Sequence, residues 1–389
     1  MNEIIILLSF TPERPWGIDI PNYFWFTGSS AAAFIISSFA HVFGKEEYKP
    51  IAGFSLLLAF ILLVAAPFNL VDDLKQPSRV INFFLYGWEN FPTSPMKWGV
   101  LLLIAYPVLI LFEALILYRT YFVEIYNKTE SNLIKFICKT ITFNNLEISN
   151  QATKKDYKLG FILGCVGIPL ALCVHGYTGY ILGVVHSISL WHTPLMPILF
   201  LASAMVSGTG LLIIILPIFQ KFFTDFKKVD IDMIVRLMKL LAWFIVIDLI
   251  IRALWLSFAM TFNDGEKYQL MAFFKESLAE IILVEYVICL IIPMIVGFNK
   301  TLSKHLSISI ISSVICAIGV WVFRYSTVVG GQSIPKTSSG FLKYTPHAFG
   351  QDSIVSVISN WGVFIALLFI IMAIFPWDKE MNKYYMKDK

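Results

Sequence analysis

The chain has 389 residues, of which 57% are hydrophobic and 14% are charged, and its formal net charge is +4. No class of soluble protein combines so much apolar sequence with so few charges. The composition therefore excludes a soluble enzyme, gives no indication of nucleic-acid binding, and predicts a protein whose main solvent is the lipid bilayer.

Nine apolar segments are each about as long as a membrane-crossing helix, because about 20 residues at 1.5 Å each span the ~30 Å hydrocarbon layer. They cover residues 23–43, 51–71, 98–118, 159–181, 195–219, 240–260, 278–298, 306–323 and 354–375. We predict an all-α polytopic protein with a single integral membrane domain of about nine transmembrane helices; a tenth, weaker helix stays open. Similar stretches of small residues, 28–33 and 202–210, suggest two like-oriented four-helix bundles with the ninth helix added.

The basic residues are divided unevenly between the two sides of these helices. The amino terminus and the even-numbered loops carry 9 Lys and Arg residues, whereas the odd-numbered loops and the tail carry 20. Because cytoplasmic loops are enriched in Lys and Arg, this asymmetry predicts an outer amino terminus and a cytoplasmic carboxyl terminus. With a bacterial inner membrane as the setting, the long 119–158 loop would face the cytoplasm.

Four ionisable residues lie well inside predicted helices, where a charge is costly and by default indicates function. Asp248 and Arg252 are four residues apart, hence on one helical face, and can form an ion pair that only fixes packing. Glu113 and Glu285 have no partner on their own helices. The alternative is a proton-transfer route through Glu285, Asp248, Arg252 and Glu113, whose predicted depths step inward from the outer side.

Cysteine and histidine argue against a redox centre held by this chain. Its 5 Cys residues show no CxxC or ferredoxin-type spacing, so we expect no iron–sulphur cluster. Haem would need His residues at matching depths on facing helices. His41 and His175 lie at opposite ends of their predicted helices, so we expect no haem and no other metal.

Aromatic residues and loop motifs concentrate on the outer side, to which eight of the 10 Trp residues map. The motifs follow in a characteristic order: Trp16 with residues 23–33, Asp73-Leu74…Pro77…Arg79, Ser94–Gly99, His175-x-x-Thr178-Gly179, Trp191–Pro197 and Glu285…Pro293. Taken together, this order resembles the NrfD/PsrC family, the membrane subunits of polysulphide reductase and of the quinol–nitrite reductase system. The length and the stretch Arg324–Gln332 resemble its longer branch.

The resemblance implies a membrane anchor that binds a quinone, menaquinone or ubiquinone, and exchanges electrons with an iron–sulphur subunit. That subunit would serve a molybdopterin enzyme of the polysulphide, thiosulphate or tetrathionate reductase type, with both partners on the outer, periplasmic face. The chain itself would not transform the terminal substrate. A hydrogenase or another respiratory complex of the same family is the first alternative, and a secondary transporter is an alternative of another class.

We expect the quinone between the outer ends of the first four helices, lined by Tyr23, Trp25, Asp73, His175 and Trp191. A quinone carbonyl needs a hydrogen-bond donor, which Tyr23 or His175 can supply, and quinol oxidation needs a proton acceptor such as Asp73. The opposing interpretation is that Asp73 caps a helix or pairs with Arg79. For the partner we expect a docking surface on the outer loops two and eight. Loop two supplies Trp88 and Glu89, and loop eight, about 30 residues including Gly330, Gly331 and Gln332, would form an exposed platform.

Overall fold

The structure, a computed structural model, describes residues 16–74, 76–224, 228–262, 270–271, 275, 281–334 and 344–378. In these residues the regular structure is helical, apart from an isolated bridge between His347 and Ser353. Nine long helical segments, α1–α9, follow one another: Asp19–His41, Lys49–Asp73, Pro95–Leu117, Asn150–Gly183, Met196–Phe222, Ile231–Phe262, the π-helical Ile281–Ile291 continued by Ile292–Phe298, Leu306–Tyr325 and Ile354–Ile374. Two short helices, Arg119–Lys128 and Asn132–Ile141, lie between α3 and α4.

By length and composition, six of the described helices could cross a membrane: those of α2, α3, α4, α5, α8 and α9. A shorter apolar helix, Val284–Phe298, lies within α7. Helices satisfy their own backbone hydrogen bonds, which is what a chain surrounded by hydrocarbon requires. The chain is thus an all-α polytopic membrane protein, as its composition predicts.

The helices form two four-helix bundles with one helix outside them. In the first bundle α1 packs on α2, α2 on α3, α3 on α4 and α4 on α1, and α5–α8 repeat this cyclic arrangement. The bundles meet where α1 and α4 pack against α5 and where α8 reaches α1. Helix α9 lies along α2, on the outside of the first bundle. The predicted arrangement of two bundles plus one helix is therefore confirmed.

Small residues allow α1 and α5 to touch backbone to backbone where the bundles meet. A Cβ atom on Gly208 would lie 2.4 Å from the carbonyl oxygen of Ser29 and 2.5 Å from the Cβ of Ala32. The hydroxyls of Ser29 and Ser207 are hydrogen-bonded across the same contact, at 2.9 Å. This is the small-residue packing that brings helices together in membranes, where lipid removes the hydrophobic drive for association.

The ends of the bundle define two faces. We call the end at which α1 begins and α2 ends, marked by Asp19 and Asp73, the amino-terminal face. The opposite end, where α1 finishes at His41 and α3 at Leu117, is the carboxy-terminal face. The loop helices Arg119–Lys128 and Asn132–Ile141 follow α3 directly and so belong to the carboxy-terminal face.

The stretch after Phe323, predicted to be an outer loop, is instead a continuation of α8. Helix α8 runs to Tyr325 and continues as a π-helical turn, Ser326–Gly330, and a last turn, Gly331–Ser333. The side chain of Gln332 accepts from Trp16 N at 3.2 Å and donates to Trp16 O at 2.9 Å. Gly331 and Gln332 are buried, so the prediction of an exposed docking platform at these residues is wrong.

Candidate functional site

A cavity of about 190 Å³ opens between α1, α2, α3 and α4 at the amino-terminal face. Of the residues predicted to bind quinone, Tyr23 from α1 and Asp73 from the end of α2 line it. Trp16, Tyr177 and Gly99 contribute further surface. The other lining residues are almost all apolar: Ile20, Phe24, Leu70, Leu74, Val80, Phe83, Phe84, Met96, Val100, Leu103 and Ile181. The cavity is thus an apolar space with two phenols and one carboxylate.

Helix ends explain how these polar groups reach the cavity. Tyr177 lies against Gly99 in the first turns of α3, where a Cβ atom would be 2.0 Å from the tyrosine ring. Only glycine leaves room for this ring, so the sequence at 99 decides where the phenol lies. Asp73 is the last residue of α2, and a carboxylate at a helix C-terminus is disfavoured by the helix dipole. Capping of its own helix therefore does not explain Asp73.

A compact loop, residues 77–94, covers one side of the cavity with Val80, Phe83 and Phe84. Lys97, in the first turn of α3, holds this loop: its Nζ donates to Phe83 O at 2.9 Å and to Tyr86 O at 2.5 Å. The ammonium also lies 4.3 Å from the centroid of the Trp88 ring, a cation–π contact. Lys97 is only 7% exposed. In the sequence it is merely one of the loop charges.

The other predicted quinone residues lie outside this cavity wall. Trp191 stands behind it, stacked on Trp16 at 5.7 Å and donating from Nε1 to Thr327 O at 2.5 Å. Trp25 points to the far side of α1, where its Nε1 donates to Ala317 O at 3.0 Å. There it lines an apolar groove with Trp321 and Trp361. Helical geometry accounts for the separation, because residues two apart on a helix point in nearly opposite directions.

His175 is buried in α4, beyond the residues that line the cavity. Its neighbour from the second bundle is Arg324 of α8, a fully buried arginine that the sequence analysis placed in a loop. The Nη2 of Arg324 donates to Phe200 O at 2.7 Å, and its guanidinium lies 3.8 Å from the Phe200 ring centroid. On the side of the first bundle, a Cβ atom on Gly28 of α1 would lie 3.7 Å from Arg324 Nη2. It therefore lies between the two bundles.

The predicted intramembrane charges form two separate groups. Arg252 pairs with Asp248 at 2.7 Å on α6, as their spacing predicts, and also with Glu285 on α7. These three side chains are almost completely buried, and Glu285 lies in the π-helical part of α7. A π-helical turn is rare and frequently marks a functional site. Together they form what we call the second-bundle triad.

Glu113 belongs to the other bundle, where His41 of α1 is its partner. The Nε2 of His41 lies 2.7 Å from Glu113 Oε1, and Nδ1 lies 3.1 Å from the carbonyl oxygen of Ser37. A carbonyl can only accept, so Nδ1 carries a hydrogen and Nε2 faces the carboxylate. The contact joins α1 to α3.

Among the described residues, no group of three or more His, Cys, Asp or Glu side chains is placed to hold a metal ion. The arrangement offers two other kinds of chemistry: an apolar cavity with phenol and carboxylate groups, and buried ionisable pairs in each bundle.

A sequence model of the family described as "Polysulphide reductase, NrfD" matches residues 8–336 of the chain. A selenate reductase subunit of Mesobacillus selenatarsenatis is 28% identical, covering 100% of this chain and 92% of the relative. A tetrathionate reductase subunit of Salmonella typhimurium is 24% identical, covering 92% and 90%. The Hdr-like menaquinol oxidoreductase integral membrane subunit of Archaeoglobus fulgidus is 24% identical, covering 92% and 83%.

Replacing Lys97 should loosen the loop that covers the cavity. Lys97→Met keeps the apolar stem but leaves the carbonyls of Phe83 and Tyr86 without their donor, at a cost of about 1–3 kcal/mol. We expect hydrogen exchange of the amides in residues 77–94 to accelerate about tenfold or more. Lys300→Met, which changes an exposed lysine on the other face, is the control. Unchanged exchange in Lys97→Met would show that the ammonium does not hold the loop.

Proposed function

Because the chain belongs to the NrfD family, we propose that it is the quinone-interacting membrane subunit of a multi-subunit oxidoreductase in the bacterial inner membrane. The complex would contain an iron–sulphur electron-transfer subunit and a molybdopterin catalytic subunit. The observation that carries the quinone assignment is the apolar cavity that brings Tyr23, Tyr177 and Asp73 together at the amino-terminal face.

The residues of this cavity fit the chemistry of a quinone. Its ring is flat and apolar and suits a wall of Phe24, Phe83 and Trp16. Its oxygens need hydrogen-bond donors, which the phenols of Tyr23 and Tyr177 provide. The chemistry that a bound quinol supplies is the release of electrons together with protons. Menaquinone is favoured over ubiquinone only by the name of the Archaeoglobus relative.

Each polar residue then has a separate task. The hydroxyls of Tyr23 and Tyr177 orient the two-oxygen head of the substrate by donating hydrogen bonds. The Asp73 carboxylate takes a proton from the substrate hydroxyl as electrons leave, and returns it in the reverse direction. Trp191 supports the wall through its stack on Trp16, whereas His175, which lies outside the cavity lining, would pass protons on instead of touching the substrate.

Removing the carboxylate at 73 should stop turnover without dismantling the cavity. Asp73→Asn in the assembled complex should lower kcat for quinol oxidation about 100-fold, the usual contribution of a general base. Asp72→Asn is the matched control, because Asp72 points elsewhere and accepts from Asn360 Nδ2 at 2.8 Å. Near-normal kcat and KM in Asp73→Asn, in both quinol oxidation and quinone reduction, would contradict the assignment of Asp73 as the proton acceptor.

The orientation we propose places the amino-terminal face outside and the carboxyl terminus in the cytoplasm. The support is the count of basic residues on the two sides, which is 9 against 20 in the sequence and 8 against 20 once the buried Arg324 is left out. The partner subunits would dock on the outer face near the loop 77–94, which exposes Ile81, Leu85, Tyr86 and Trp88. The names of the relatives support the wider assignment of a reductase complex, and they give the transporter alternative no support.

A reporter enzyme that is active only in the cytoplasm, fused after Lys389, tests this orientation. We expect the fusion to be active, and a fusion of the same reporter into the loop at Glu89 to be inactive. Affinity purification of this chain from the same strains tests the partners. We expect iron–sulphur and molybdopterin subunits to copurify with it. The reverse pattern of reporter activity would invert the topology and with it the face of the partners.

Buried charges support a further proposal, that proton uptake or release at the cavity is coupled to the opposite face. The proton-transfer residues would be Glu285, Asp248, Arg252 and Glu113. Arg324, which lies where α8 meets α1 and α5, would connect the second-bundle triad to the first bundle. Glu113 with His41 would hold a proton near the carboxy-terminal face. The competing interpretation is that each group is an ion pair that only fixes packing.

The two interpretations differ in what Glu113→Gln does. Glutamine keeps a hydrogen bond to His41 but cannot carry the proton, so the relay predicts normal assembly and electron transfer with a lower membrane potential per electron in sealed vesicles. Glu130→Gln, an exposed loop change, is the control. The packing interpretation predicts the parent potential in Glu113→Gln. Arg252→Met should impair assembly under either interpretation, since breaking a buried pair costs about 3–5 kcal/mol.

A further inference from the structure

The loop helix Asn132–Ile141 has two apolar sides, and only one of them is covered by protein. The side that faces the protein carries Cys138, which is buried, and Ile141, which is half-buried. The side that faces away from the protein carries Leu133, Phe136 and Ile137. Leu133 is 69% exposed and Phe136 is 67% exposed. These three residues have the i, i+3, i+4 spacing of a single helical stripe. A large apolar surface therefore faces outward from the carboxy-terminal face.

Basic residues occupy the remaining side of the same helix. Lys135 and Lys139 are four residues apart and so lie on one side of the helix, next to the exposed apolar stripe. Neither lysine has an ion-pair partner among the residues that the structure describes. An apolar stripe flanked by lysines is the pattern of a helix that lies in the plane of a membrane surface.

The turn that follows the helix Asn132–Ile141 shows how deep this helix lies relative to the end of α3. Phe143 stacks on Phe112 of α3, with ring centroids 5.7 Å apart and an interplanar angle of 16°. Phe112 is exposed on the side of α3 and precedes the end of that helix at Leu117 by five residues. Five residues correspond to about 7.5 Å along the axis. The chain therefore returns from the loop to a level inside the end of α3.

The backbone of this turn is strained at Phe143, and surrounding contacts keep it there. Phe143 and Asn144 have φ angles of 52° and 61°, in the left-handed region. Asparagine tolerates this region, but for a bulky side chain it is a true outlier that surrounding contacts must stabilise. The stack on Phe112 is such a contact. It makes the exposed apolar side of the loop helix continuous with the lipid-facing side of α3.

We propose that the helix Asn132–Ile141 is an interfacial anchor that lies in the lipid headgroup region and binds anionic phospholipid headgroups through Lys135 and Lys139. Leu133, Phe136 and Ile137 would enter the boundary between headgroups and acyl chains, which accommodates apolar helix faces about 5–10 Å deep. The ammonium groups would remain at the level of the phosphates. The inference is independent of the quinone assignment, because it concerns the opposite face of the protein.

The depth is tested by spin labels on the assembled complex in vesicles, with the exposed Cys165 and Cys173 replaced by alanine. Labels at Leu133→Cys and Phe136→Cys should collide mainly with oxygen, which concentrates in lipid. A label at Lys304→Cys, in the exposed turn between α7 and α8, should collide mainly with a water-soluble nickel chelate. Nickel access at 133 and 136 equal to that at 304 would overturn the proposal. Shielding from both reagents would also overturn it, and would point to a covering protein subunit.

The headgroup preference is tested by titrating the purified complex with phosphatidylglycerol and counting bound lipids by native mass spectrometry. Each lysine near an anionic surface contributes about fivefold to affinity. Lys135→Gln combined with Lys139→Gln should therefore weaken the tightest phosphatidylglycerol sites about 25-fold. The charge-matched control, Lys300→Gln combined with Lys304→Gln on the same face, should leave them unchanged. Equal loss in both variants, or no loss in either, would contradict a specific site at this helix.

Discussion

The close packing of α1 is the constraint on which the rest of the structure depends. All but Ile35 and Phe39 of its residues are buried, because α2, α4, α5 and α8 surround it. A central helix of this kind requires small side chains where backbones meet, and the contact between Ser29 and Gly208 meets that requirement. The same helix brings Tyr23 to the cavity, Trp25 to the outer groove and His41 to Glu113.

Buried charge is handled in pairs that join neighbouring helices. In hydrocarbon an unpaired charge is costly, and two of the described buried side chains find their partner on another helix. Arg252 joins α6 to α7, and His41 joins α1 to α3. Arg324 differs, because it donates to a backbone carbonyl and packs most closely against an aromatic ring. This placement puts one cation at the contact between the two bundles.

Helix α9 stabilises the amino-terminal face from outside the bundles. Asp352, in the turn before α9, accepts from the backbone N–H of Asp19 at 3.1 Å and so caps the start of α1. Burial raises the pKa of the Asp352 carboxyl, and the hydrogen bond from the backbone N–H of Asp19 opposes part of this increase. In return, Ser356 in the first turn of α9 donates to Asp19 at 2.7 Å. The beginnings of α1 and α9 are thus held together by reciprocal hydrogen bonds.

Composition and the length of the apolar segments alone determined that this is an all-helical membrane protein, since about 20 consecutive apolar residues cross the hydrocarbon layer as a helix that satisfies its own backbone. The i, i+4 spacing of Asp248 and Arg252 also predicted their ion pair, because both groups lie on one helical turn. Only the tertiary structure decided which partners Glu113 and Glu285 take, that Lys97 orders a loop and that Tyr177 shares the cavity with Tyr23. Those contacts join side chains from different helices, or from a helix and a loop, and spacing along the chain does not encode them. Glu113 and His41 show the reason: they lie on different helices, and only the folding of the first bundle brings them within 2.7 Å of each other.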